Sequence, residues 1–468
     1  MKKILNNIFK LEENKTTIKV EIISGITTFF AMCYIIVVNP NQMTGFKELP
    51  SVWNACFVGG ILAAVIATLC MAFIANKPFA LAAGMGLNSF FYVSFILPNL
   101  LTSPENGYKA GLAVILLSGI IFLILSLTGV RKYLAYNLPP CLKTAIPAGI
   151  GMFIAFIGFQ NCGLVVPSIY TGVSIIDFTQ GASVAVPAII GLLGFILVVV
   201  LSNVKNTYIK GTSMILSIVA CTILYYLCVL IFNIDINITT TSLKESFADW
   251  SNLGLLGAFE GFGLVFNDGI IGSVFSVVML VITYCLVDMF DTLGTLYGAS
   301  AEANMLDENG DPVDLEKEML CDSIGTAAGA LLGTSTITTF VESSAGVAAG
   351  GRTGLSSLVT SILFLLCLFI APLAQYVPSC ATAPALIYVG LLMCKNILNI
   401  DFTDFRSAAT GFITFLIMTV TYSISNGIMI GAITYVVISL LTGKFSKKDI
   451  IVAIIALLGI FRFAFIAI

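Results

Sequence analysis

Three acidic residues lie where water should not reach. Asp288 and Asp291 sit three apart inside an apolar run, 270–298, and Glu342 sits in a stretch rich in Gly, Ser and Thr, 333–351. A charged group at bilayer depth costs about 3 kcal/mol, so chains keep such groups where they carry a substrate or an ion. The spacing of three predicts that Asp288 and Asp291 face one side of a helix, with Thr292 and Thr295 extending the stripe by a turn. Two carboxylates that close, in a poor dielectric, do not both ionise at neutral pH, so one is expected to hold a proton. A proton held or released in mid-membrane is what a proton-coupled carrier needs. The alternative for each Asp is structural, as a cap or brace of a broken helix.

Glu342 is flanked by Thr338, Thr339, Ser343 and Ser344. The residues from Thr334 to Val341 favour an extended backbone. At that depth an extended piece must line a cavity or meet a ligand to satisfy its N–H and C=O groups. Thr339, Phe340 and Ser343 are therefore read, with Glu342, as contacts for a polar, planar solute. Asn88 follows Gly84 and Gly86, which permit a sharp backbone path, and its amide can both donate and accept. Hydrogen bonding between helices explains Asn88 equally well. The well-defined spans hold no Lys or Arg, so the solute is expected to be neutral or cationic and rich in N–H. Phe90, Phe91, Phe290 and Phe340 are near enough in sequence to stack on a flat guest, although lipid-facing or core packing would account for them too.

These residues need a membrane scaffold. The 468-residue chain is 58% hydrophobic and only 10% charged, against roughly 25% charge in soluble domains. A net charge of −3 argues against nucleic acid as a partner. The absence of histidine excludes imidazole zinc sites and leaves carboxylates as the only proton carriers. The 12 cysteines are scattered, without a C-x-x-C, and read as small buried hydrophobes. The first apolar run, ending Val37-Val38-Asn39-Pro40, has no small-residue cleavage site and reads as a span.

At about 20 residues per crossing, apolar runs fall near 22–39, 55–74, 78–98, 110–129, 144–166, 185–203, 211–233, 270–298, 319–334, 335–351, 354–376, 381–397, 408–423, 425–442 and 449–467. With the N-terminus inside, 18 of the 22 basic residues fall on the inner side and three on the outer, which supports this order. The last run is then an extra span or an interfacial helix. The outer connection 233–268 divides two halves of seven runs. An odd number implies that a duplicated half is inverted, as in many secondary transporters. Each half carries an irregular, small-residue third run, 80–88 and 333–346, and such interruptions point to a midplane binding site. The inner connection 300–318 is strongly acidic and reads as a solvated loop.

The segments AGMGLNSFF (83–91), LVDMFDTLGTLYG (286–298), LLGTSTITTFVESSAGVAAGGRTGL (331–355), TYSISNGI (421–428) and GITTFFAMCYIIVVNP (25–40) together resemble the AzgA-like branch of the xanthine/uracil permease superfamily. The resemblance implies an all-α polytopic membrane protein with fourteen spans in two inverted seven-span repeats. Core parts would be 1–130 and 269–376, gate parts 131–235 and 377–468, with short extended segments in spans 3 and 10. It implies proton-coupled import of a purine base, hypoxanthine or guanine before adenine, with uracil or xanthine as the alternative. Glu342 and Asp288 would bind the base, Asn88 would shape the site, and Asp291 would serve proton coupling together with Asp288 and Glu342. No enzyme activity, cofactor or metal is implied. Membrane lipid and a second copy of the chain are the expected partners, in the cell membrane with a cytoplasmic N-terminus. One departure is visible: relatives usually carry Pro where this chain has Ala83, which bears on the stiffness of the span-3 break.

Overall fold

The computed structural model describes residues 2–465 apart from 47, 129–137, 169–170, 206–208, 211, 235–241, 267–271, 273, 303–304, 306–311, 371–373 and 375. In chain order the helices are α1 (Lys2–Phe9), α2 (Ile18–Met32), α3 (Ile35–Met43), α4 (Pro50–Cys70), α5 (Met85–Phe91), α6 (Pro104–Leu127), α7 (Pro140–Asn161), α8 (Ala182–Ser202), α9 (Ser213–Phe232), α10 (Leu243–Asp249) and α11 (Gly257–Phe266). They continue with α12 (Val274–Glu302), α13 (Leu315–Leu332), α14 (Ser343–Ala348), α15 (Gly354–Leu366), α16 (Ser379–Cys394), α17 (Phe405–Val420), α18 (Ile424–Leu441) and α19 (Ile450–Phe465). Among the described residues there are also four short strands: β1 (Leu81–Ala83), β2 (Val165–Ser168), β3 (Gly172–Ile175) and β4 (Ile337–Thr339).

Helix dominates because lipid offers no partner for a free backbone N–H or C=O. Among the described residues, eight helices are long and apolar enough to cross a membrane, and four more apolar helices are shorter. The apolar runs 78–98 and 335–351 are not long helices. Each starts with a three-residue strand and turns into a short helix, β1 into α5 and β4 into α14. The run 319–334 starts earlier than hydropathy suggests. α13 begins at Leu315 and takes Glu316 and Glu318 into its first turn, where the positive end of the helix favours acids. The run 449–467 is helix α19, packed on α18. Much of the acidic connection 300–318 lies outside the described residues. The connection 233–268 holds α10, which starts on a capping box of Ser242 and Glu245, and α11.

Helix packing falls into two groups. α13 lies against α4 and α6, and α14 and α15 lie against α2; α7 lies against α16 and α17. The first group is tightly apposed. A Cβ on Gly59 of α4 would stand 2.0 Å from the carbonyl oxygen of Leu332 at the end of α13.

β1 and β4 pair antiparallel, Leu81 with Thr339, Ala82 with Thr338 and Ala83 with Ile337. Phe340 N–H donates to Ala80 O and Gly84 N–H to Thr336 O, both at 3.0 Å, which lengthens the crossing by a residue at each end. The two segments thus largely satisfy each other. Backbone groups expected to meet a guest are taken by the partner strand instead. A threonine closes each strand in the same way. Thr68 Oγ1 of α4 accepts from Leu81 N–H (3.0 Å) and approaches Leu81 O (3.1 Å). Thr326 Oγ1 of α13 accepts from Ile337 N–H (3.2 Å) and approaches Ile337 O (3.2 Å).

Candidate functional site

Glu342 follows β4 and precedes α14, so the strand–helix junction aims its side chain. It is 8% exposed, and its Oε1 accepts from the Tyr34 hydroxyl at 2.5 Å. Tyr34 occupies the turn between α2 and α3. Behind the junction, Glu21 of α2 is fully buried and accepts from the backbone N–H groups of Arg352 (2.9 Å) and Thr353 (3.3 Å). The Arg352 guanidinium in turn donates to Val347 O (2.9 Å) in the last turn of α14 and to Gly351 O (2.6 Å) just beyond it. The segment that carries Glu342 is therefore fastened at both ends.

A cavity of about 100 Å³ opens beside this junction. One water takes about 10–15 Å³ on the same measure, so the space holds several waters or one small flat ring. Thr338, Thr339, Phe340, Val341 and Glu342 form one wall, with Met85 and Gly86 at the start of α5. Asp291 and Thr295 of α12 enter from the side. The facing wall comes from α7 and α16 and the turn after α16, and Asn396 is its polar member among Pro147, Ile154, Val389, Leu392 and Met393. Among the described residues, no Lys or Arg lines the cavity.

Asp288 and Asp291 part company. Asp291 lines the cavity, whereas Asp288 is 1% exposed and its Oδ2 accepts from Thr326 Oγ1 at 3.0 Å. One turn on, Thr292 Oγ1 donates to Asp322 Oδ1 of α13 at 2.8 Å. The stripe is thus two stripes, 288 with 292 toward α13 and 291 with 295 toward the cavity. Residues three apart on a helix differ by about 60° in direction, enough for one to meet a neighbouring helix and the other a void. Asn88 lies outside the lining as well. It is fully buried, accepts from the Ser335 hydroxyl and donates to Gln42 Oε1 at 3.4 Å, which ties the two irregular segments together. Ser343 Oγ accepts from Ala80 N–H at 3.0 Å and braces the crossing. Thr339 and Phe340 do line the cavity. Phe90 packs on Tyr284 at a ring separation of 5.2 Å, and Phe91 on Phe95 and Tyr108, all in the core. The side chain of Phe290 lies outside the described residues.

Sequence reasoning missed Tyr34, Thr326 and Asp322. Asp322 could have been found: it is a further acid in an apolar run. Tyr34 gave no such signal, because a lone tyrosine between Cys33 and Ile35 reads as packing.

This geometry has relatives. The profile of a permease family, the xanthine/uracil permeases, matches residues 19–430. The chain belongs to that family. Its membership makes it a permease and not an enzyme. The permease is 36% identical to a putative permease, MJ0326, of Methanocaldococcus jannaschii over 99% of both chains. It is 35% identical to the adenine permease AdeP of Escherichia coli over 99% of this chain and 96% of that one. It is 36% identical to the guanine/hypoxanthine permease PbuO of Bacillus subtilis over 96% of this chain and 98% of that one. Among solved structures the permease is similar to the transmembrane domain of the cyanobacterial bicarbonate transporter BicA, with a TM-score of 0.57, 16% identity, and coverage of 94% of this chain and 97% of that one. SLC26A9 gives the same TM-score at 14% identity, covering 95% of this chain and 70% of that one. These likenesses define a mostly helical, multi-pass membrane transporter fold.

Proposed function

We propose that this permease imports a purine base together with a proton across the cell membrane, with hypoxanthine or guanine preferred and adenine accepted. The observation that carries the reading is a cavity holding Glu342 and Asp291 beside Thr338, Thr339 and Phe340, with no basic side chain among its described lining residues. Such a lining accepts hydrogen bonds, and a purine offers N–H groups along a flat edge. The names of relatives that align end to end, adenine permease and guanine/hypoxanthine permease, support the same class of solute.

In this reading Glu342 accepts from the base, Phe340 covers its face, Thr339 completes the hydrogen bonding and Asp291 carries the proton. Asp288, Asn88 and Ser343 hold the geometry through Thr326, Ser335 and Ala80. The β1–β4 crossing with α2, α4, α6 and α12–α15 forms a core that moves against a gate of α7–α9 and α16–α18, in fourteen crossings with an inverted repeat. The matching threonine closures at Leu81 and Ile337 support the repeat. A cytoplasmic N-terminus, lipid contact and pairing with a second copy complete the proposal. The test is uptake of labelled hypoxanthine by cells expressing the chain, against unlabelled guanine, adenine, xanthine and uracil, with and without a protonophore. Competition by purines and collapse with the protonophore are expected. Competition by uracil alone, or uptake indifferent to the protonophore, refutes the solute or the coupling respectively.

A further inference from the structure

Among the described residues, Tyr34 is the one hydroxyl that donates to the Glu342 carboxylate, at 2.5 Å, and it belongs to a part of the chain far from 342 in sequence. The residue is 3% exposed. A buried phenol needs a partner, and with a single hydrogen it satisfies one acceptor. Its other polar neighbour is Met85 Sδ at 3.8 Å, a weak acceptor, so the hydrogen goes to Glu342. The local backbone makes this contact possible. α2 stops at Met32 and α3 restarts at Ile35, with tightened bonds from Ile36 N–H to Cys33 O and Val37 N–H to Tyr34 O, both at 3.2 Å. The break turns residue 34 toward the strand–helix junction. Hydroxyl–carboxylate bonds at this length are among the strong ones.

We propose that Tyr34 is a positioning residue for the solute. It fixes Oε1 of Glu342, leaves Oε2 to face the guest, and favours the charged carboxylate that a base N–H needs as acceptor. The proposal deepens the purine-permease reading and rests on it for the identity of the guest, though not for the contact itself.

The test has two arms on the full-length protein. In the first, Tyr34→Phe keeps the ring and removes the donor. The KM for labelled hypoxanthine rises about tenfold, equivalent to about 1.4 kcal/mol, while the maximal rate per copy in the membrane stays within about twofold. A merely structural tyrosine would lower the amount or thermal stability of the protein and leave KM alone. The second arm needs no solute. Dicyclohexylcarbodiimide attacks the neutral acid form of a buried carboxyl, and labelling of the Glu342 peptide is followed by mass spectrometry. Tyr34→Phe speeds that labelling several-fold, and 3-fluorotyrosine at position 34, a stronger donor in the native shape, slows it. Labelling of the Tyr34→Phe protein at the wild-type rate overturns the proposal whatever the uptake data show. If Tyr34→Phe does not reach the membrane, the fluorotyrosine protein decides by the same criterion. A KM unchanged in Tyr34→Phe overturns the positioning role. If the wild-type protein takes up no nucleobase, the purine reading fails by itself and the labelling arm still decides the contact.

Discussion

Thr68 and Thr326 offer an internal comparison, because they close the two paired strands and Thr326 also meets a carboxylate. Replacing either with Val keeps the shape and removes the hydroxyl. Thr68→Val leaves the buried Leu81 N–H without its 3.0 Å acceptor, a cost of about 1–2 kcal/mol. Thr326→Val leaves Ile337 N–H in the same position and also strips the 3.0 Å donor from Asp288. A hydrogen bond to a charged group is worth about 1.5–3 kcal/mol, so the total comes to about 3 kcal/mol. The difference between the variants, about 1.5 kcal/mol, is roughly tenfold in an equilibrium constant. The assay is unfolding of the purified protein by sodium dodecyl sulfate, followed by circular dichroism and run for both variants in one detergent. Uptake should follow the same order, with Thr326→Val the weaker transporter. Equal losses, or a larger loss at Thr68, would refute the idea that Asp288 is held through Thr326.

Gly59→Ala should prevent folding or cost several kcal/mol, since its Cβ would stand 2.0 Å from Leu332 O, backbone that cannot step aside; Gly263→Ala, with nothing within 4 Å, should melt like the wild type in the same thermal assay. Glu21→Ala removes the acceptor of Arg352 and Thr353 N–H and should destabilise by at least about 2 kcal/mol, with uptake falling further than membrane expression. Asp404, in the loop before α17, is held below the usual carboxylate range by the Ser407 hydroxyl at 2.8 Å. A group lowered on folding stabilises above its unfolded value, so Asp404→Asn should lower the melting temperature at pH 7. The gap from wild type should close as the pH drops below about 4.

The sequence carried the membrane class because that class depends on composition. Acids at 288, 291 and 342 within apolar runs are visible without coordinates. The extended character of 334–341 was legible from its threonines, and β4 falls inside it. Its pairing with 81–83 was not legible. Leu81, Ala82 and Ala83 include no β-branched residue, and that segment becomes a strand because β4 and Thr68 offer it partners. The separation of Asp288 from Asp291 was hidden for a related reason. Spacing gives the angle between two side chains but not which neighbour stands at each angle, and here Thr326 stands at one and a void at the other. Asn88 and Ser343 show the same limit, since both spend their hydrogen bonds on tying segments together.

Binding of labelled purine to purified Glu342→Gln protein, with circular dichroism to verify the fold, is the most direct measurement. Gln keeps the size and loses the charge that accepts the base N–H, and truncating a buried charged acceptor costs about 3 kcal/mol. The expected result is affinity weaker by about a hundredfold or more in a protein that melts as the wild type does. Wild-type affinity for hypoxanthine, guanine and adenine in that variant would contradict a purine site built on Glu342.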